Sequence, residues 1–281
     1  MGNTYTTTVA TLLGTLLHEG QRIAQSKLAP LSAFGNILPA EEGFRAGIDA
    51  EIPLVTAAPA TQVLARTDAP NYLADGTVTS PITVTPKLFL QTLTLENVNY
   101  QSGNRLAYAA RFAMNQLANS IWDHVAANLT TANFGSAAVT VAAASWTQDD
   151  FSTLAASVDG ENVAVVLDKS YSKRTPTIWL PAAGNCTVHE ANRWSAAGTN
   201  VTGFAATPEA FAFTWQKPDF TASERRVIAA KSIVIPQLGD IEIEASVGFA
   251  TNTRTMIAAY RVFFGAAPAD KTNALKLLTS A

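Results

Sequence analysis

The stretch EIPLVTAAPATQVLARTDAPNYLADGTVTSPITVTPKLFL, residues 51–90, holds five of the thirteen prolines of the chain among Val, Thr and Ile. Proline has no backbone N–H to donate, so it is confined to edge strands and hairpin arms. Turn-forming residues are concentrated at 67–77. The stretch therefore predicts two extended arms, 51–66 and 77–90, joined by a turn. Because a two-stranded hairpin is marginal by itself in water, we expect it to pack on its own chain or on a neighbouring copy.

The residues before the hairpin predict an arm and a helix. Residues 1–10 are rich in Thr and predict a flexible segment. Leucines and isoleucines near helical spacing predict a short amphipathic helix over 9–28, which Gly14 and Gly20 would break.

The hairpin continues into the apolar stretch ITVTPKLFLQTLTLENV, residues 82–98, which predicts a long strand. Its leucines change from even to odd positions between Leu90 and Leu93. Such a change sends side chains to the opposite face, so we expect a bulge or bend near Gln91 and Thr92.

A very long helix is predicted over 103–129, because apolar residues recur there on one face. This stripe consists of Leu106, Ala110, Ala113, Leu117, Ile121 and Val125. At the α-helical rise per residue such a helix would be roughly 40 Å long. Leu106, Leu117, Ile121 and Val125 are therefore the candidate core of an elongated subunit.

The middle of the chain predicts a mixture of helices and a strand. Thr147 and Asp150 have capping-box spacing at the start of a helix over 146–159, and Trp146 can pack onto Phe151 as a staple. Residues 162–168, NVAVVLD, predict a buried strand. We expect 169–206 to be irregular and PEAFAF, 208–213, to form a short helix that Thr207 caps.

The end of the chain predicts antiparallel strands in RVIAAKSIVI, IEIEASV and RTMIAAYRVFFG, with a last strand at ALKLLTS. In IEIEASV the alternation places apolar residues toward a core and Glu242 and Glu244 toward water. Segregated helices and antiparallel strands indicate an α+β fold.

Composition excludes several classes of function. Charged residues make up 15% of the chain, against roughly 25% in ordinary soluble domains. Such a fraction is expected where much surface is buried against partners, and equally in an Ala- and Thr-rich protein from a genome of biased composition. The net charge is −3 and no basic cluster exceeds Arg225-Arg226, so a nucleic-acid-gripping footprint is not predicted. A single cysteine, Cys186, excludes an internal disulfide. No apolar run is long enough to predict a membrane span.

The sequence offers no convincing catalytic, cofactor or metal set. Cys186 and His189 have a ligand-like spacing, but nothing near them completes a metal site. Ser170 and Lys173 match a Ser-x-x-Lys pattern without the partner motifs of that enzyme class. We therefore expect a protein that is not an enzyme, with no catalytic, cofactor-binding or metal-binding residues.

The order of these elements resembles the capsid fold of tailed bacteriophages that is named after the Hong Kong 97 phage. GFAATPEAFAFTWQKPD, residues 203–219, is similar to a recurring segment of those coat proteins. GDIEIEASVGFATNTRTMIAAYRVFFGAAPADKTNALKLL, residues 239–278, is similar to their closing strands.

The resemblance implies a division of the chain into parts. Residues 1–50 would be an N-terminal arm and 51–90 the hairpin known as the E-loop. Residues 91–145 and 236–281 would form the peripheral domain with its spine helix, and 146–235 the axial domain. The E-loop tip would contact a neighbouring subunit, and its candidate contact residues are Arg66, Asp68, Asn71, Tyr72 and Asp75.

The resemblance also implies a function, which is self-assembly. Copies would form hexamers and pentamers of an icosahedral virion shell that encloses double-stranded DNA without sequence-specific binding. Assembly would take place in the host bacterial cytoplasm with a portal as a partner and no membrane. Scaffolding would come from a separate protein or would not be needed. The founding member cross-links through an E-loop lysine, but no lysine lies between Lys27 and Lys87, so no such cross-link is expected here. The alternatives are a bacterial nanocompartment (encapsulin-like) shell and a phage tail or surface structural protein.

Overall fold

A computed structural model describes residues 2–39, 50–57, 78–95, 103–158, 160, 162–179, 186–191, 200–216, 227–250, 255–271 and 274–281. The helices are α1 (Gly2–Leu28), α2 (Gly103–Ala126), α3 (Thr131–Phe134), α4 (Gln148–Ala156) and α5 (Lys169–Ser172). The first strands are β1 (Gly35–Pro39), β2 (Ala50–Ala57), β3 (Val78–Val84), β4 (Lys87–Leu95), β5 (Val139–Thr140), β6 (Val163–Asp168) and β7 (Cys186–Ala191). The later strands are β8 (Val201–Ala206), β9 (Phe211–Gln216), β10 (Val227–Ile235), β11 (Ile241–Ala250), β12 (Thr255–Pro268) and β13 (Leu275–Thr279).

A six-stranded sheet is organised around β12, which is 14 residues long. Strands run in the order β1-β9-β12-β11-β10, and β4 also pairs with β12. The β4 ladder runs without a shift from Leu95 opposite Met256 to Lys87 opposite Phe264. Every pairing in this sheet is antiparallel except that of β1 with β9.

Two helices cover one face of this sheet. α1 packs on β10 and β11, α2 packs on β4 and β12, and the helices pack on each other. Glu19 contacts Arg111, and the Trp122 ring N–H donates to the Lys27 carbonyl at 2.7 Å, so both helices run in the same direction. The Tyr260 hydroxyl donates to the Leu16 carbonyl at 2.7 Å and joins α1 to the centre of the sheet.

The N-terminal helix differs from its prediction, because α1 is continuous from Gly2 and neither glycine breaks it. Gly20 instead lies close against the sheet. A Cβ atom there would lie 2.7 Å from Ile233 Cδ1 and 3.0 Å from the Tyr260 ring. The absent side chain is therefore a packing requirement, and the predicted flexible segment at 1–10 is wrong over Gly2–Ala10.

The long helix α2 ends at Ala126 rather than at residue 129, and its whole apolar stripe is buried. Leu106, Leu117, Ile121 and Val125 all lie in the large core between the helices and the sheet. Each side chain of this size contributes about 1.5–3 kcal/mol when it is fully buried.

A second sheet has the order β5-β13-β8-β6-β7 and separates two cores. One face packs on α4 and on the aromatic residues around it, Trp146, Phe151 and Tyr171. The other face adds Val166, Phe204 and their neighbours to the large core. The predicted strand over 162–168 is confirmed as β6, whereas 169–206 contains β7 and β8 and is not irregular throughout.

The local signals of α4 are confirmed. The Thr147 hydroxyl accepts from the Asp150 backbone N–H at 3.3 Å, and the Asp150 carboxylate accepts from the Thr147 backbone N–H at 3.0 Å. The Trp146 and Phe151 rings are 6.5 Å apart and nearly perpendicular. The helix begins at Gln148, directly after the predicted cap Thr147, and ends at Ala156 rather than at residue 159.

Two predicted features are wrong because tertiary packing overrides a local signal. PEAFAF does not form a helix: residues 208–210 form a turn, and Phe211 begins β9 between β1 and β12. The predicted bend at Gln91 and Thr92 is also absent, since the strand is interrupted at Thr85 and Pro86 instead. Proline cannot donate to a ladder, which explains the position of this break.

The alternation in β11 is confirmed for its apolar residues and wrong for Glu244. Ile241, Ile243, Ala245 and Val247 are buried against the helices. Glu244 is also buried, on the opposite face, where Arg261 of β12 donates to it at 3.2 Å. A directly opposite cation thus allows the carboxylate to leave water.

Substitution of the two glycines of α1 should give opposite results. We expect Gly20→Ala to lower the free energy of unfolding by about 1–3 kcal/mol, because the new methyl group overpacks the contact with Ile233 and Tyr260. Gly14 has no atom within 4 Å of its Cβ position, so Gly14→Ala should stabilise the helix by up to about 1 kcal/mol. Urea unfolding of both variants measures this, and equal effects would contradict the packing of α1.

Leu117→Asp should unfold the subunit, because an unpaired charge in the large core costs several kcal/mol. Asn115→Asp on the half-exposed side of the same helix is the matched control and should remain folded. Circular dichroism and solubility distinguish the two variants. A soluble, cooperatively folded Leu117→Asp protein would disprove the orientation of α2.

Candidate assembly surfaces

The hairpin predicted over 51–90 is present as a two-stranded antiparallel ribbon of β2 and β3. Its ladder runs from Ala50 opposite Val84 to Ala57 opposite Val78, and Pro53 lies opposite Pro81. Within the described residues, these two strands pair only with each other. Among the described strands, the ribbon therefore forms no ladder with either larger sheet.

The root of the hairpin is fixed to the six-stranded sheet. Val84 is buried against Ala212 of β9, with Ile82 and Ala267 beside it. A Cβ atom at Gly265 would lie 2.7 Å from Val84 Cγ1. The glycine thus permits the close approach that anchors the hairpin at one end.

The five candidate tip residues, Arg66, Asp68, Asn71, Tyr72 and Asp75, lie outside the described residues. Their contact with a neighbouring subunit stays a prediction. The four candidate core residues of the long helix are buried within the subunit and have no free surface for a partner.

Sequence reasoning missed two aromatic residues on the long helix. Tyr108 is 72% exposed and Phe112 is 54% exposed, one helical turn apart. Both lie outside the apolar stripe, on the same side of the helix as the partly exposed Asn115 and Asn119. The sequence does contain a signal for them, because two aromatic residues one turn apart on the polar face of a predicted helix are unusual.

The sheet face opposite the helices is partly apolar. Leu88 and Leu90 of β4 are 48% and 52% exposed. They lie directly opposite Phe263 and Arg261 of β12, so all four side chains share this face. Phe89 and Leu93 point the other way and pack on the large core. Leu88 and Leu90 therefore form part of an exposed surface. The sequence analysis did not predict this surface, because it expected a bend near Gln91 and Thr92.

Electrostatic contacts hold the two helices together at their shared seam. The Arg111 guanidinium donates to both carboxylate oxygens of Glu19, at 2.6 and 2.9 Å, and Arg22 lies 3.6 Å from the same carboxylate. The hydrogen bond from Arg111 lowers the pKa of Glu19, although burial acts in the opposite direction. The carboxylate thus stays ionised in the seam.

The candidate chemical groups do not converge. Cys186 and His189 are three positions apart on β7, so their side chains point to opposite faces. Ser170 donates to the Asp168 carboxylate at 2.6 Å, and that carboxylate also accepts the Ser170 N–H, which caps α5. Within the described residues no group of three or more His, Cys, Asp or Glu could hold a metal ion. Among those residues, too, no helix is long and apolar enough to cross a membrane.

Solved structures of shells share this arrangement of elements. The virus-like particle of Pyrococcus furiosus is 9% identical, over 96% of this chain and 98% of its own, with a TM-score of 0.55. A chain of the satellite phage P4 procapsid, which includes a size determination (Sid) protein, is 10% identical. The match covers 95% of the present chain and 98% of the procapsid chain, with a TM-score of 0.50. The capsid of cyanophage P-SCSP1u is 11% identical over 88% and 86%, with a TM-score of 0.50.

The chain has the α+β capsid fold of the Hong Kong 97 type. No protein-family model and no curated protein matches it in sequence. The likeness to this capsid fold covers nearly the whole of each compared chain, so it concerns the complete architecture rather than one motif. At such identities it is a likeness of fold, and individual residue roles do not transfer with it.

The stability of this capsid fold should fall as the pH decreases below the ordinary histidine pKa. Burial and the nearby Lys87 lower the pKa of His124, and burial lowers the pKa of His189. A lowered folded-state pKa means that the unfolded chain binds protons first, so this stability is complete above about pH 6.5 and decreases below it. Thermal unfolding between pH 7.5 and 5 should show this decrease. His124→Gln should reduce it, and an unchanged slope would contradict the burial of His124.

Proposed function

We propose that this chain is a structural shell subunit, the major capsid protein of a tailed bacteriophage. Copies assemble into hexamers and pentamers of an icosahedral shell that encloses double-stranded DNA. The role is structural rather than enzymatic, and assembly takes place in the cytoplasm of the bacterial host. The carrying observation is the likeness of the whole chain to shell-forming chains, with 88–96% of it covered.

The hairpin supplies the physical support for assembly. Two strands that pair only with each other, within the described residues, are marginal when they are surrounded by water. The Val84 root packs on the sheet, and the ladder of β2 and β3 extends from there to Ala57 opposite Val78. We propose that this hairpin lies on an adjoining copy and gains there the burial that its own subunit does not provide.

The exposed leucines of β4 and the exposed aromatic residues of α2 are further candidate contacts between copies. Such large apolar side chains on a chain with only 15% charged residues favour a surface that is covered on assembly. We assign 1–50 to the N-terminal arm, 51–90 to the E-loop and 146–235 to the axial domain. The remaining segments, 91–145 and 236–281, form the peripheral domain.

Two partners are part of the proposal. The procapsid of satellite phage P4 includes a size determination protein, and this supports a separate scaffolding protein for the present chain. A portal through which DNA enters completes the set, and neither partner requires a membrane.

A bacterial nanocompartment is the second candidate, because the virus-like particle of Pyrococcus furiosus has a TM-score of 0.55 against 0.50 for the two phage structures. Electron microscopy of the protein purified from its native source separates the two candidates. Closed shells that contain nuclease-protected DNA support the capsid, whereas shells filled with protein cargo support the nanocompartment. A protein that forms no shells under any assembly condition would disprove both.

Deleting residues 67–76 should leave a folded subunit that no longer closes into shells, because the proposed contact between the hairpin tip and the adjoining copy would be lost. Circular dichroism tests the folding, and electron microscopy tests the closure. Gly14→Ala, which changes an exposed helix position, is the control that should both fold and assemble. Normal shells from the deletion variant would remove the hairpin from the proposed interface.

A further inference from the structure

The strand β4 lies at an edge of the six-stranded sheet. It pairs with residues 256–264 of β12, and β11 pairs with residues 255–261 of the same strand, so β4 and β11 lie on opposite sides of β12. Among the described strands, β12 alone pairs with β4. Within this part of the chain, the outer row of backbone N–H and C=O groups of β4 is therefore open to a further strand. This row is called the free edge of β4 below.

Proteins usually protect such edges, and the other described edge strands of this subunit follow that rule. β1 and β5 are only five and two residues long. β10 carries Lys231 at its centre and has an irregular register near Val227, and β7 carries Glu190. The arms of the ribbon each contain a proline, Pro53 in β2 and Pro81 in β3. Short strands, charges, bulges and prolines all hinder pairing with another chain.

β4 has none of these protective features along its length. Its sequence KLFLQTLTL, residues 87–95, contains no proline or glycine, and its only charge is that of Lys87 at the first position. The ladder with β12 continues over nine residue pairs without a shift. Leu88 and Leu90 are half-exposed on one face of the strand. A long, regular and almost uncharged edge with exposed leucines is a template for pairing with another strand.

We propose that the free edge of β4 pairs in antiparallel orientation with the free edge of β4 in a second copy, across a two-fold axis. Full overlap of the two nine-residue strands sets Gln91 opposite Gln91 of the second copy, and Lys87 opposite Leu95. The two lysines then lie at opposite ends of the contact, so like charges do not meet. This inference does not require the proposed function, because the edge belongs to the single subunit.

The side chains of this alignment match on the exposed face of the sheet. Residues that are directly opposite in an antiparallel pair share a face, so Leu88 would lie beside Thr94, and Leu90 beside Thr92. A large side chain thus meets a smaller one at each position. The Leu90 side chains of the two copies would be diagonal neighbours, which long side chains can bridge. The contact would therefore cover part of the exposed leucine surface.

The helices that cover the two strands would also fit side by side. α2 packs on both β4 and β12, so its axis lies inside the edge of the sheet. With strands roughly 4.8 Å apart, the α2 axes of the two copies would be about 10 Å apart, a usual distance between packed helices. Arg111 and Trp122 face α1. Helical periodicity places Ala109, Gln116 and Ser120 on the opposite flank, where two of the three side chains are small.

A second copy is favoured over a different chain, because the contact is self-complementary and closed. A two-fold pair uses both free edges at once, so association stops at two copies instead of continuing into a fibre. The hairpin ribbon of a neighbour is a poorer strand donor, since Pro53 and Pro81 remove N–H groups from its arms.

Cysteine cross-linking tests the pairing directly. Gln91→Cys in a Cys186→Ser background places one thiol beside the proposed axis, where the two Cα atoms would be about 4.5–5.5 Å apart. This distance is within the range of disulfides. Mild oxidation of the assembled protein should then convert most chains into disulfide-linked dimers. Lys231→Cys in the same background is the matched control on the protected edge strand β10, and it should remain monomeric on a denaturing gel.

A charge on the free edge tests whether the cross-link reports strand pairing. Thr92 is exposed, so Thr92→Lys should fold normally, which circular dichroism checks. In the proposed pair it sets two lysines diagonally across the axis, so the Gln91→Cys cross-link should be lost. Ala230→Lys adds the same charge at an exposed position of β10 and should leave the yield of the Gln91→Cys cross-link unchanged.

The outcomes separate this inference from the proposed function. Gln91→Cys chains that stay monomeric, or a cross-link that Thr92→Lys does not reduce, would overturn the pairing of the two strands even where shells form. Protection of the β4 amides from hydrogen exchange on assembly, without the cross-link, would assign the edge to a different chain and would overturn it as well. A cross-linked pair from protein that never forms shells would support the pairing and reject the proposed function.

Discussion

The carboxylate of Glu19 constrains how the large core is assembled. It is held in the seam between two helices, where a charge is tolerated only with a well-placed counterion. The planar guanidinium of Arg111 supplies two donors to it, so Glu19 of α1 and Arg111 of α2 must lie side by side. The hydrogen bond from Trp122 to the Lys27 carbonyl fixes the two helices again near their C-terminal ends, and the hydrogen bond from Tyr260 joins α1 to the sheet. These contacts therefore fix the positions of the two helices relative to each other and to the sheet beneath them.

The sequence predicts the elements whose signals are local and repeated. The apolar stripe of α2, the capping box at Thr147 and the alternation of apolar residues in β11 need only neighbours in the chain to be recognised. The hairpin arms were also recognisable, since their prolines and turn residues limit what else the segment can form. Its predicted tip contacts stay predictions, because they depend on residues beyond the described strands and on another copy.

The remaining features depend on partners that are distant in sequence. Phe211 and Phe213 belong to a strand because β1 and β12 flank them, although a preceding proline suggested the start of a helix. Glu244 is buried because Arg261 lies opposite, which alternation alone cannot reveal. Gly20 permits a close contact instead of breaking a helix, since Ile233 and Tyr260 occupy the space where a side chain would lie. The exposed surfaces were the least predictable, because an exposed leucine and a buried leucine look alike in a sequence.

The interruption at Thr85 and Pro86 has a mechanical consequence. It separates two ladders, one between β2 and β3 and one between β4 and β12, and neither has a hydrogen-bonded pair across the break. The two ladders can therefore change their angle to each other without losing a pair, and the packing of Val84 on Ala212 is the contact that resists such a rotation. In the proposed shell, copies that give up this one contact could present the hairpin at a different angle from copies that keep it, so one chain could meet neighbours at more than one tilt.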